Sequence, residues 1–508
     1  MSETSAIDAD ALGSDSSPSA RPPSGLDSVR ERLARITPWE TLLALMIIAW
    51  TWYFTWISLQ VHHGLGTSSY DFGLYDQGLW LMSRFKAPFV TLMGRNLLGD
   101  HSSFIMVLLV PLYWLFPAAG SLFFAQSLAI GLGALPVFLY ARKRLESEPI
   151  ALLLAGCYLL HPAVGWTNRE NFHPDAFIGV FVGMAIYGAL ERKWRLYAVF
   201  VVLALLVKED ASLVLVPLGV WVAVKRDRRI GIATICGSVA FMLFAMFMVM
   251  RSLIGVPTRN GWRIPFGGPT GFLKETFQRP ANVLDHFRSE GRPFYFWQMT
   301  APFAWIFARA PSVALISAVV LGTNMLSTFW YQFHIQYHYS LVAVPALALG
   351  TVYAIRFITG FWQRRAAIAA VVLMSALAAF LWGPLPMNRN HDTDYYWKPN
   401  FPSPAAAREL MREIPEGAVV SAFHALTPHL THREQIYQFP NPFRVVLYGP
   451  NTDLELARAR LPQADDVEYV MLQRTLSAES QADWDAVKAD FEEVDANDYW
   501  VLYRRKSS

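Results

Sequence analysis

Apolar stretches separated by short polar turns fill most of the chain between residues 39 and 384, at roughly 39–60, 120–140, 149–166, 176–190, 196–207, 211–224, 230–250, 295–309, 311–324, 339–357 and 366–384. A run of about 20 apolar residues crosses a bilayer as one helix, whereas runs of about 12 to 15 need partners, tilt or a thinned bilayer. With 54% hydrophobic and 16% charged residues, the chain carries too little charge for a soluble protein. It reads as a polytopic α-helical membrane protein of about eleven transmembrane helices.

The basic residues orient these spans. Arg142-Lys143-Arg144, Arg192-Lys193 with Arg195, Lys225-Arg226 with Arg228-Arg229, and Arg364-Arg365 share the side of the basic flank Arg30, Arg32 and Arg35. This holds if the stretch Phe104 to Phe116, broken by Pro111, dips into the outer leaflet without crossing. Short loops rich in Lys and Arg stay cytoplasmic. The expectation is a multi-pass protein of the inner (plasma) membrane, with a cytoplasmic N-terminus and outer loops at 61–119 and 251–294. All twelve histidines then lie on or near the outer face, where a side chain titrating near neutral pH serves proton transfer or polar contacts.

Residues 1–36 are dominated by Ser, Asp, Ala and Pro at their start and read as a disordered cytoplasmic tail. Thr37-Pro38-Trp39-Glu40 opens the membrane domain, 37–384, with an N-cap, a proline at the first helical position and a capping-box glutamate. Residues 385–508 read as a small extracytoplasmic α/β domain. Helices are expected at Ala405 to Ile414 and Ala478 to Phe491, with strands at Ala418 to Phe423, Gln435 to Phe439, Val467 to Leu472 and Trp500 to Tyr503 in a partly parallel sheet. It contains no Gly-rich phosphate loop, so nucleotide binding is not assigned to it. Cys157 and Cys236 stand in separate apolar runs, which excludes a disulfide framework and predicts two buried thiols.

Chemistry-bearing residues collect in the outer loops. Asp71-Phe72-Gly73-Leu74-Tyr75-Asp76 opens a short amphipathic helix expected to lie along the membrane surface. Five residues turn two mid-helix side chains about 140° apart, so Asp71 and Asp76 share a cavity only if Asp71 precedes the helix and swings away from it. Asp71 then serves either as a base or as an N-cap. Asp100-His101 places a carboxylate beside an imidazole, suited to a proton relay, a sugar hydroxyl or a metal. Glu170 with His173 and Asp175, and Lys208-Glu209-Asp210, crowd turns between short apolar helices, where charges are costly unless they face water or one another. His334 and His338 share a face if their segment is helical, next to phosphate or sugar or merely packed among aromatics. Arg259 and Arg263 belong to an outer basic loop suited to a phosphate.

Tyr70-Asp71-Phe72-Gly73, Asp76-Gln77-Gly78-Leu79-Trp80, Gly99-Asp100-His101, Phe172-His173-Pro174, Lys208-Glu209-Asp210 and Tyr337-His338 together resemble the bacterial and archaeal family of predicted membrane proteins of unknown function (DUF2079-like). That architecture is in turn similar to the C-type (GT-C) glycosyltransferases, which use polyprenyl-phosphate sugars at the outer membrane face. The resemblance implies an inverting, integral-membrane glycosyltransferase passing a sugar from a polyprenyl-phosphate donor to a glycan, lipid or protein acceptor of the cell envelope. By position, the catalytic carboxylate of the first loop maps onto Asp71 or Asp76. The chain lacks the adjacent acidic pair often found there, which leaves the base and a divalent cation open. No other cofactor and no nucleic-acid partner is expected. The competing readings are a transporter or flippase of a lipid-linked or anionic solute, and an inactive binding protein of the same shape. Transporters hold their ligands near the membrane midplane on broken helices and often within internal repeats. Here the charges gather at helix ends and no repeat is visible.

Overall fold

The computed structural model describes residues 36–386, 388, 400–446 and 459–507; the tail at 1–35 and His391 lie outside them. Helix α1 (Pro38–His63) opens with the capping box read from the sequence: the Thr37 hydroxyl accepts from the Glu40 amide at 3.2 Å and the Glu40 carboxylate from the Thr37 amide at 3.0 Å. Among the described residues, five helices are long and apolar enough to cross a membrane: α1, α4 (Ala119–Leu145), α10 (Arg228–Ile254), the His338–Ile355 helix and α16 (Phe361–Trp382). Helices α5 (Glu148–Leu159) and α6 (Pro162–Arg169) make a sixth if the pair, bent by 53°, is one span.

The remaining apolar runs form shorter helices, among them α3 (Ile105–Leu115), α7 (Ala176–Leu190), α8 (Trp194–Leu205) and α9 (Ser212–Lys225). The eleven full spans expected from hydropathy are therefore not reproduced by length. Burial explains part of the difference: all but two of the side chains of α7 are buried, so its apolar character serves the bundle interior, which needs no particular length. The run 295–309 differs most. It is a nine-residue helix, α13 (Arg292–Thr300), followed by 3₁₀ turns, with Ala304 and Trp305 at left-handed φ of 49° and 51°. Cys157 is buried as expected, but Cys236 is exposed on the flank of α10, where an apolar position faces outward.

The bundle has two polar ends. At one, Arg142 pairs with Glu40, Arg144 reaches Glu191 at 2.6 Å, and the Arg226 Nε donates to the Ala189 carbonyl at 3.3 Å. The basic clusters of several loops thus meet where α1 begins. The opposite end, where α1 finishes, carries helix α2 (Phe72–Ser83), the β1–β2 hairpin (Phe89–Val90 and Arg95–Asn96) and the C-terminal sheet.

That sheet has the order β4-β3-β5-β7-β6, built from β3 (Val420–Ala422), β4 (Ile436–Gln438), β5 (Tyr469–Gln473), β6 (Phe491–Ala496) and β7 (Trp500–Arg505). The β3–β4 and β3–β5 pairs are parallel and the others antiparallel. Strands occur at all the expected places, and β6 is an additional one. The expected helices are shorter: α17 (Pro402–Met411), and α18 (Ala478–Asp485), which gives way to a 3₁₀ turn before β6. Alternation along β5 sends Met471 toward a core shared with α2, and Val470 and Leu472 toward Trp484 of α18.

The sheet also corrects the reading of α2 as a surface-lying amphipathic helix. Ten of its twelve residues are buried, because the bundle covers one side and the sheet the other. Gln77 donates to the Glu434 carbonyl at 3.2 Å, and the Thr91 hydroxyl exchanges hydrogen bonds with the Ile436 backbone at 2.7 and 2.9 Å.

Candidate active site

One cavity at the sheet-bearing end of the bundle brings together side chains from distant parts of the sequence. Its walls include Asp71, Asp100, His101, His173, Lys208, Arg259, Arg263 and His338 from the expected set, joined by Tyr70, Tyr75, Arg95 and Tyr339.

Asp71 precedes α2 and makes no side-chain capping bond. Its carboxylate instead accepts from His173 Nε2 at 3.3 Å, so the N-cap alternative fails on geometry. Burial opposes charge on both partners. The hydrogen bond and charge of His173 nevertheless hold Asp71 below the usual carboxylate range, while Glu170, Asp71 and Asp175 raise His173 to about 9. The imidazole of His173 stacks on that of His338 with centroids 3.8 Å apart, and His338 Nδ1 lies 3.1 Å from Glu170 Oε2.

Asp76 does not reach the cavity. It is 2% exposed, accepts hydrogen bonds from the Tyr113 and Thr431 hydroxyls, and lies 3.3 Å from His432 Nε2. It ties α2 and α3 to the segment leading into β4. The five-residue offset that separates it from Asp71 on the helix is the cause. His334 is also outside the site: the segment forms two 3₁₀ turns, not an α-helix, so the four-residue spacing to His338 does not align them, and His334 packs on Trp330 and Tyr337.

Around Lys208 the polar residues satisfy one another. Its Nζ lies 3.5 Å from Asp175 and 3.8 Å from Asp210, over the ring of Tyr339. Burial works against its charge, but these carboxylates keep the ammonium well above the ordinary lysine range. Glu209 binds His101 Nδ1 at 2.7 Å and the Ser102 amide at 3.0 Å; burial opposes its charge, and the His101 contact brings it down to about 2. Asp100 is bound by Arg95 at 2.9 and 2.6 Å. Arg95 was hidden in the sequence, because an Arg and an Asp five residues apart mark a hairpin contact only once β1 and β2 are known.

Arg259 and Arg263 differ from the other cations. Among the described residues neither meets a carboxylate, and the Nε of each is buried without a hydrogen-bond partner. Arg263 stacks over Phe329 at 4.4 Å and reaches the Tyr339 hydroxyl at 3.4 Å. Two guanidinium groups in one cavity, one of them held over aromatic rings and both with donors to spare, suit a phosphate. Glu170, His173 and His338 offer ligand atoms within 4.8 Å of one another, and two imidazoles with a carboxylate suit a divalent cation. Binding one there would displace the Asp71–His173 and Glu170–His338 contacts.

The family model described as Predicted membrane protein (DUF2079) matches residues 61–507. The chain belongs to this family. No curated protein sequence matches it. Among solved structures it is similar to ArnT from Cupriavidus metallidurans bound to undecaprenyl phosphate, at a TM-score of 0.55 and 13% identity, over 92% of this chain and 98% of that one. The apo state of the same protein matches at 0.54 and 14%, over 91% and 98%. At these identities the likeness shows a shared fold alone; the family description and the long apolar helices of the described residues make this a multi-pass membrane protein.

Proposed function

We propose that this chain transfers a sugar from a polyprenyl-phosphate donor to a glycan, lipid or protein acceptor of the cell envelope, at the extracytoplasmic face of the inner membrane. The supporting observation is the cavity in which Arg259 and Arg263, without carboxylate partners among the described residues, stand together with the uncapped carboxylate of Asp71. The solved structure of like fold holds undecaprenyl phosphate, which agrees with a lipid phosphate as the anion.

In this reading the two arginines bind the phosphate as a charge-assisted clamp and stabilise the charge that grows on it as the sugar departs. Asp71 accepts the proton of the incoming acceptor hydroxyl, whose oxygen bonds to the anomeric carbon opposite the phosphate. His173 orients Asp71. Lys208 already has Asp175 and Asp210 as counterions, so it sets the local field and contributes less to the clamp. The charged side chains of the cavity lie at an end of the bundle and not at its middle, which favours transfer chemistry over passage of a solute.

The test is to reconstitute the purified full chain and measure binding of undecaprenyl phosphate and transfer from undecaprenyl-phosphate-linked sugars. Binding lost in Arg259→Gln/Arg263→Gln, with turnover lost in Asp71→Asn, is the expected result. Wild-type protein that neither binds the lipid phosphate nor turns over any such donor overturns the proposal.

A further inference from the structure

His101 and Glu209 form a hydrogen-bonded dyad on the cavity wall that the transfer reading leaves without a role. Glu209 opens a 3₁₀ turn, Glu209–Ala211, anchored through the Ser212 hydroxyl to the Ser238 carbonyl at 2.8 Å. Both its carboxylate oxygens are engaged by the neighbouring turn, one by His101 Nδ1 at 2.7 Å and the other by the Ser102 amide at 3.0 Å. A carboxylate on Nδ1 fixes the ring and its orientation, with Nε2 left to face the cavity. The other nitrogen, Nε2, makes no hydrogen bond among the described residues, and the ring lines the cavity.

The dyad sits beside the arginine-bearing segment. Gly99 lies so close to it that a Cβ there would come within 2.6 Å of Ile254 Cγ2 and 2.9 Å of Leu253 Cβ. The turn carrying His101 therefore packs directly on the chain that leads to Arg259 and Arg263. Charged groups surround the imidazole on every side: Glu209 at Nδ1, the Arg95–Asp100 pair on its own turn, Lys208 with Asp175 and Asp210 behind Glu209, and Asp71, His173, His338, Arg259 and Arg263 around the same cavity.

We propose that His101, positioned by Glu209, is the proton donor to the phosphate of the departing lipid. The inference rests on the transfer reading above. The acceptor oxygen bonds to the anomeric carbon and gives its proton to Asp71. The bond from that carbon to the phosphate oxygen breaks with its electron pair on oxygen, and His101 Nε2 passes its proton to the phosphate. The lipid leaves as a phosphate monoanion and His101 becomes neutral. Glu209 remains ionised and acts as the positioning residue.

The experiment measures binding of undecaprenyl phosphate to the detergent-solubilised full chain between pH 7 and 9. A phosphate monoester, with its second pKa of about 6, is already a dianion there. A bound dianion prefers a proton on His101 Nε2, so the wild-type Kd rises with pH, by at most about tenfold per unit for one proton. The ratio of His101→Gln to wild-type Kd cancels the titration of His173 and the other shared groups, and is expected to fall at least several-fold across this range. Glu209→Gln, which keeps the side-chain volume and an acceptor for Ser102, is expected to shift the wild-type inflection to lower pH, and to have no such effect when added to His101→Gln. Parallel pH profiles for wild type, His101→Gln and Glu209→Gln overturn the dyad while leaving the transfer reading intact. A wild-type chain that does not bind undecaprenyl phosphate at any pH overturns both. If His101→Gln does not fold, the shift in Glu209→Gln alone decides.

Discussion

Asp76→Asn separates an architectural carboxylate from a catalytic one. The two Asp76 oxygens accept from the Tyr113 and Thr431 hydroxyls, with His432 Nε2 at 3.3 Å from one of them. Asparagine offers one oxygen where two are used, turns an NH₂ toward a hydroxyl, and removes the charge facing His432. A buried hydrogen-bonding group left unsatisfied costs about 1 to 3 kcal/mol. Since this site joins α2 to the segment before β4, the cost falls on docking of the C-terminal sheet. At about 1.4 kcal/mol per decade, the undocked population should rise by about 5- to 150-fold. Limited proteolysis under conditions where opening is fast relative to cleavage reads that population directly, followed by release of a C-terminally tagged fragment. Thr431→Val should raise cleavage similarly, and the double variant should fall short of the sum, because both changes break one shared interaction. Cleavage rates equal to wild type, with undecaprenyl phosphate binding or turnover abolished, would refute the reasoning and move Asp76 into the chemistry.

Asp71→Asn should lower turnover by about 10²- to 10⁴-fold, the usual range for loss of a general base, with some loss of thermal stability because the charge facing His173 is removed while an acceptor oxygen remains; normal turnover excludes Asp71 as the base. Neutralising Arg259 and Arg263 with glutamine should weaken undecaprenyl phosphate binding by at least about tenfold for each charge-assisted contact removed, as measured by direct titration, and unchanged affinity removes the clamp. His173 should make stability pH-dependent. Its folded pKa of about 9 lies above the ordinary 6.5, so its contribution, at most about 3 kcal/mol at 1.36 per unit, is complete below pH 6.5 and disappears as pH rises through 9. Melting of wild type against His173→Gln between pH 6 and 10 checks this, and parallel curves contradict it. Ser477→Cys should react with an impermeant thiol reagent in intact spheroplasts while Ala223→Cys does not; the opposite labelling reverses the orientation.

Local features were the most legible in the sequence. The Thr37–Glu40 capping box and the strands around Val420, Ile436, Val470 and Trp500 follow from contacts or alternation within a few residues. The cavity was legible residue by residue, because charged side chains between short apolar helices require polar company, and Asp71, His101, His173, Lys208 and His338 find it in one another. Pairings across long sequence separations were not legible. Asp76 meets Thr431 355 residues away, and nothing around either position distinguishes that contact from a solvated loop. Tyr339 entered the site by the same route, through Lys208 and Arg263, whereas Arg95 entered through the β1–β2 hairpin. His334 was misplaced because its spacing to His338 suggested an α-helix, whereas the backbone there turns more tightly. The eleven spans read from hydropathy are not confirmed by helix length, because several of the apolar runs form short helices or 3₁₀ turns among the described residues.

The burial of α2 beneath the sheet bears on how the protein should be handled at the bench. A shortened chain ending near residue 400 would bring water to Asp76, Gln77 and Thr91, all now covered by residues 431–436. Asp76 and Gln77 belong to the helix that begins one residue after Asp71. Trimming the tail would therefore loosen the platform on which the proposed base is mounted, and inactivity of such a fragment would say nothing about whether the tail itself touches substrate.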